Sequence, residues 1–184
     1  MLGIDDGPFV KGMQRTPLAG VLVCPPGYVE GVMVSSCQVD GEDANQAIIR
    51  MVRDSRFSEQ VRMVMLDGAA LGGFNVVDVR ALSRDLGVPV LTISRDQPDM
   101  DAIRSALIAH FPDWERRFEA ISQNRVRSVQ VPDGLVFVTS EGVEEREADA
   151  MVRRCTIRGC LPEPVRLAHL VATALVRGES RGRA

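Results

Sequence analysis

Two aspartates carry the chemistry that this chain offers most directly. Each closes a short apolar run, Asp5 after Leu2-Gly3-Ile4 and Asp67 after "VRMVML" at 61–66. In open sheets of parallel strands, sites form outside the carboxyl ends of the strands, so acids at two such ends can line one rim. Carboxylates brought close together repel and raise each other's pKa unless a cation lies between them. Mg²⁺ takes one or two protein carboxylates, keeps waters and completes its shell with substrate phosphate. The pattern therefore points to metal-assisted phosphodiester hydrolysis. An aspartate before glycine at a strand end is also ordinary turn chemistry, and spacing alone leaves both open.

Several neighbours bear on the same chemistry. Asp6 follows Asp5 directly; side chains alternate along a strand, so it should point away from Asp5 and act either as a further ligand or as support behind one. In Gly72-Gly73-Phe74-Asn75 the glycines allow a substrate backbone to come close while Asn75 donates to it, although a tight turn and a helix N-cap need the same residues. Arg166 and His169 stand three apart, on one face of the last predicted helix. Arg166 has a phosphate or an internal carboxylate within its repertoire, and His169 suits a supporting role.

The elements that must position these residues follow from periodicity. Leu2 to Asp5 reads as a buried strand. "PLAGVLVC" (17–24) and "YVEGVMVSSC" (28–37) form a hairpin across Pro25-Pro26-Gly27. Ala44, Ala47, Ile48, Met51 and Val52 recur at helical spacing behind N-cap candidates between Asp40 and Asp43. The run ending at Asp67 has the composition of a central strand covered on both faces. "VVDVRALSRDLG" (76–87) predicts an amphipathic helix closed by Gly87, and "VPVLTIS" (88–94) another buried strand. A helix broken near Pro112, strands at 128–131 and 135–139, and helices at 143–155 and 164–177 complete the order. The expectation is a mixed α/β sheet flanked by helices on both faces, one domain over residues 1–177, with a disordered tail at 178–184.

Composition narrows the class. The 184 residues are 45% hydrophobic and 26% charged, ordinary for a globular protein, and no apolar run approaches the roughly 20 residues of a membrane span. A net charge of −3 is not the basic excess usual in nucleic-acid binders, although 21 of the 22 basic residues are arginine, Lys11 being the exception. The four cysteines lack paired CxxC spacing and no secretion signal leads the chain, so a cytoplasmic location with reduced thiols is expected.

The hairpin-led order with acids after the first and fourth strands is the layout of the ribonuclease H-like fold. "GIDDGPF", "DGAALGGFNVVD" and "RGCLPEPVRLAH" further resemble the archaeal endonuclease dU family, a relative of endonuclease V, over nearly the whole chain. The resemblance implies a Mg²⁺- or Mn²⁺-dependent endonuclease acting on damaged or deaminated nucleic acid, DNA in the first instance. It places the family's first-strand aspartate on Asp5 and its Asp-Gly aspartate on Asp67. The third acid falls on Asp43, with Asp40 and Glu42 adjacent. The family's lysine falls on Arg95. Counted back from "LPEP", its histidine falls on Glu141, which as a carboxylate would serve as a metal ligand.

The resemblance has gaps. The wedge of endonuclease V, tyrosine-isoleucine-proline-glycine, is replaced by "CQVDG", and a histidine- and arginine-rich stretch by "AALGGFN". Specificity for inosine therefore does not carry over. These gaps keep a second expectation in play, a non-catalytic nucleic-acid-binding or adaptor protein that retains the nuclease fold.

Overall fold

A computed structural model describes residues 1–10, 12–123 and 125–180. In chain order the elements are β1 (Leu2–Asp6), β2 (Arg15–Cys24), β3 (Tyr28–Gln38), α1 (Ala44–Arg53), β4 (Val64–Asp67), the two-residue strands β5 (Ala70–Leu71) and β6 (Asn75–Val76), α2 (Val79–Leu86), β7 (Val90–Ser94), α3 (Met100–His110), α4 (Trp114–Ser122), β8 (Arg127–Val131), β9 (Gly134–Glu141), α5 (Glu145–Cys155) and α6 (Glu163–Arg177). The main sheet runs β3-β2-β1-β4-β7-β9-β8. β1, β4 and β7 are mutually parallel, and the strands on either side pair antiparallel. This is the mixed sheet expected; β5 and β6 were too short to register as a periodic pattern.

Both faces of the sheet are covered. On one, Leu2, Ile4, Val64 and Leu66 pack with Ile48 of α1 and Leu82 of α2. On the other, Met65, Leu91 and Ile93 pack with Val152 of α5 and Val165 of α6. Each fully buried aliphatic side chain stabilises the fold by roughly 1.5–3 kcal/mol. Burial on both faces explains why β4 and β7 read as unbroken apolar runs. All four cysteines are free thiols.

Helix ends follow local chemistry. Asp78 caps α2 by accepting from the Ala81 amide, and Gly87 ends it in the left-handed conformation at φ 68°. Gly178 closes α6 in the same way. Of the tail expected at 178–184, residues 181–184 lie outside the described residues. No described helix is long and apolar enough to cross a membrane.

The approach of α6 to β1 matters most for the site. A Cβ on Gly3 would strike the backbone carbonyl of Pro164. Only glycine permits the first turn of α6 to lie directly on β1, and that contact sets how far along the strand the rest of the helix reaches.

Candidate metal centre

Parallel pairing of β1 with β4 sets Ile4 opposite Leu66, so Asp5 and Asp67 emerge side by side from the carboxyl rim. α6 supplies the third group. Asp5, Asp67 and His169 each offer a ligand atom, and the three atoms lie within 4.8 Å of one another. His169 Nδ1 is 2.8 Å from Asp5 Oδ2, while Asp5 Oδ1 accepts from the Asp6 amide at 2.8 Å.

The electrostatics are those of acids crowded without enough positive charge. Burial pushes Asp67 up to about 6, aided by the charge of Asp5 and opposed by His169 and Arg95. Asp6 is driven up to about 7 by burial and then by Asp5, despite an amide hydrogen bond from Gly72. His169 is raised by its hydrogen bond to Asp5. A divalent cation among these groups would reverse the repulsion.

A cavity of about 280 Å³ opens onto the cluster, lined by Asp5, Asp6, Asp67 and His169 together with Thr173 and Arg177. Thr173 and Arg177 were not singled out from the sequence. Their spacing from His169, four and eight residues along one helix, was the signal available. A second, largely apolar cavity of about 550 Å³ begins at Gly68, the residue after Asp67, and is walled by Phe74, Ile103, Phe118 and Ile121, with Thr92 and Thr139 among its polar groups.

The other expected site residues separate from the cluster. Glu141 sits at the opposite rim. β9 runs antiparallel to β7, so its last residue pairs with Val90, whereas Asp67 pairs with Ile93 three residues further along. At about 3.3 Å per residue this is roughly 10 Å along the strand, and Glu141 instead pairs with Arg80 at 3.5 Å. The side chain beside the two aspartates is His169, expected only in support and here among the ligand atoms.

Asp43 is also turned elsewhere. Its Oδ1 accepts from the Gln38 amide at 2.8 Å and the Asn75 carboxamide at 2.8 Å, and its Oδ2 pairs with Arg15 at 3.2 Å. Burial raises it, but these donors prevail and hold it below the usual carboxylate range. Asn75 is fully buried rather than presented to substrate. Its Oδ1 receives the Ala44 amide, satisfying the start of α1 in the manner of a cap supplied from another loop. Asp40, at φ 55°, accepts the Phe74 amide at 2.9 Å and locks the same loop. Buried Arg117 completes the lock, donating to the carbonyls of Gly41 and Phe74 while its guanidinium lies over Phe111.

Two cations were candidates for a substrate phosphate, Arg166 with an internal carboxylate as its alternative. Arg95 is exposed, and its charge acts on both Asp67 and His169. Arg166 is occupied by an internal carboxylate: it grips buried Glu163 through two hydrogen bonds of 2.8 and 2.7 Å.

Known proteins resemble this one at two levels. Residues 1–176 match the family described as Endonuclease dU. A UPF0215 protein of Methanothermobacter thermautotrophicus is 40% identical over all of this chain and 91% of its own length. A crystal structure of a protein of unknown function from Archaeoglobus fulgidus superposes with a TM-score of 0.85 at 35% identity, covering 96% of this chain and 98% of that one. The endonuclease V of Ciona intestinalis, in complex with a 24mer DNA containing an inosine followed by a ribo-adenosine, superposes at TM-score 0.65 and 12% identity over 96% of this chain and 85% of its own. That likeness is one of fold, the ribonuclease H-like sheet with helices on both faces. With its whole length matched, the chain belongs to the endonuclease dU family.

Proposed function

We propose that the protein is a divalent-metal-dependent endonuclease that hydrolyses phosphodiester bonds in nucleic acid carrying a damaged or deaminated base. The observation that carries this is the convergence of Asp5, Asp67 and His169 within 4.8 Å at one strand rim. The donor set fits a hard cation: two carboxylates suit Mg²⁺ or Mn²⁺, and an imidazole extends the preference toward Mn²⁺. Such an ion would supply Lewis-acid stabilisation of phosphate charge and make water a better nucleophile at neutral pH.

The chain's own groups do the rest. His169 is hydrogen-bonded through Nδ1 to Asp5 Oδ2 and so holds that carboxylate in one orientation. The Asp67 backbone is fixed by pairing with Ile93 of β7 at the end of β4, beside the end of β1. Arg95, with its charge directed at the same rim, is placed to stabilise a phosphate undergoing attack.

The choice of damaged nucleic acid rests on the cavity next to Asp67. Its volume of about 550 Å³ and its walls of Phe74 and Phe118 suit a flat base turned out of the stack, with the mutually hydrogen-bonded hydroxyls of Thr92 and Thr139 among its polar groups.

Cleavage of oligonucleotides bearing deoxyuridine, deoxyinosine or inosine tests the proposal. Strand scission is expected with Mg²⁺ or Mn²⁺, none with EDTA, and none in the variants Asp5→Asn and Asp67→Asn. Binding of the same oligonucleotides without metal-dependent scission would leave a nucleic-acid-binding protein on a nuclease fold.

A further inference from the structure

α6 climbs beside β1 in the same direction. Gly3 meets Pro164, Asp5 meets His169, and Gly7 packs so tightly under Ala172 and Val176 that a Cβ there would collide with both. β1 ends at Asp6 while α6 continues to Arg177, so the last two turns of the helix overhang the carboxyl rim. His169, Thr173 and Arg177 recur every four residues, which places them on one face, about 6 Å apart along the axis. All three line the cavity that holds the acids.

Two features of this stripe are not explained by packing. Thr173 is 4% exposed, yet among the described residues its hydroxyl has no hydrogen-bond partner, so its polar atom is left to the cavity. Arg177 makes no ion pair among the described residues, in contrast to Arg166 on the same helix, which Glu163 neutralises. A guanidinium and a hydroxyl with no partner among the described residues, at the α6 side of the pocket, offer donors to an anion. The planar fork of arginine suits phosphate oxygens in particular.

We infer that Thr173 and Arg177 form a subsite for a backbone phosphate of the nucleic-acid strand adjoining the one at the metal centre. The inference rests on the nuclease reading and deepens it, because it gives the substrate a direction. The strand leaves the acids along α6, toward the end of that helix, so the position of the cut relative to a recognised base is fixed by which side α6 overhangs.

Binding of a fluorescein-labelled single-stranded deoxyoligonucleotide, followed by anisotropy between about 50 and 200 mM salt, tests it. The measurement is made with Ca²⁺ and again in EDTA. Arg177→Ala is expected to weaken binding on the order of tenfold and to reduce the slope of log K against log salt by about one, with Arg177→Lys recovering most of the slope. Thr173→Val, which keeps the shape, is expected to cost a few-fold with the slope unchanged. Thermal unfolding of the Arg177 variants should match the parent, since Arg177 is exposed. Affinity and slope unaltered in Arg177→Ala, with the parent binding normally, would overturn the subsite and leave the nuclease reading standing. Failure of the parent itself to bind would overturn both.

Discussion

Two groups of acids that look alike in the sequence behave in opposite ways in the fold. Asp5, Asp6 and Asp67 face a shared cavity, and burial together with mutual repulsion drives Asp6 to about 7 and Asp67 to about 6. Asp40 and Asp43 are instead engaged by donors. Asp40 takes the Phe74 amide; Asp43 takes the Gln38 amide, the Asn75 carboxamide and Arg15. In the first group Asp6 and Asp67 are poorly neutralised by the protein itself, whereas in the second both Asp43 oxygens and Asp40 Oδ1 are held by donors. A carboxylate left wanting a positive partner at a strand rim is available to a ligand, whereas a saturated one is structure.

The contrast predicts its largest effect at Asp67. Asp67→Asn removes a charge that the proposed metal needs and the free protein tolerates badly. Endonuclease activity should fall by roughly a thousandfold, the order seen when a preorganised charge contact is deleted, while the metal-free protein gains stability. Mn²⁺ should raise the Tm of the parent and not that of the variant. Equal Mn²⁺ stabilisation of both proteins would show that the acids do not form the metal site.

Asp43→Ala should do the reverse. It strips partners from the Gln38 amide, the Asn75 carboxamide and Arg15, an expected loss of about 2 kcal/mol, or about 4–8 °C in Tm for a chain of this size. Activity of the protein that remains folded should survive, measured at a temperature well below the lowered transition. If activity vanished with stability intact, Asp43 would belong with the first group after all.

The pH dependence of the metal-free protein separates the groups without mutation. Asp6 and Asp67 have folded pKa values raised above the usual 3.8, so their contribution is fully present below about pH 4 and is lost as pH rises through about 6 to 7. His169 is raised above 6.5 by its bond to Asp5, so its contribution is present below that value and is lost as pH rises through the higher folded one. All three have the same sign. Asp43, held low, changes only in the acid range, below this window. Tm in EDTA should therefore fall by a few degrees from pH 5 to pH 8, and saturating Mn²⁺ should flatten the curve. A flat curve in EDTA would mean that the acids are not strained.

The sequence made Asp5 and Asp67 legible because strand periodicity and the Asp-Gly terminus mark a rim wherever strands are parallel. It also supplied the hairpin, the order of helices and the glycine caps, which depend on local chemistry. The role of His169 was harder to read because it depends on Gly3 letting α6 rest on β1, a contact between residues more than 160 positions apart. Asn75 offered a substrate donor or a helix cap, and the cap it makes serves the distant helix α1, which leaves no local pattern. Arg166 and Arg177 are equivalent in sequence, and the position of Glu163 separates the neutralised cation from the one with no ion pair among the described residues.

Glu141 provides the smallest effect and the sharpest control. It was placed at the metal by counting along the chain, which disregards strand direction. β9 runs against β7, so the carboxyl end of β9 lies at the amino rim of the parallel strands, beside Val90 and across from Arg80. The Arg80–Glu141 pair is solvent-exposed at both partners, and such pairs contribute about 0–1 kcal/mol. Glu141→Gln should change Tm by no more than about 2–4 °C and leave cleavage and Mn²⁺ stabilisation within twofold, roughly the uncertainty of such assays. A large loss of activity in Glu141→Gln would require β9 to pair with β7 in the opposite sense, which the consecutive register from Val90↔Glu141 to Ser94↔Phe137 forbids. The rim that a strand's end reaches, rather than the acid found there, decides which carboxylates can share a metal.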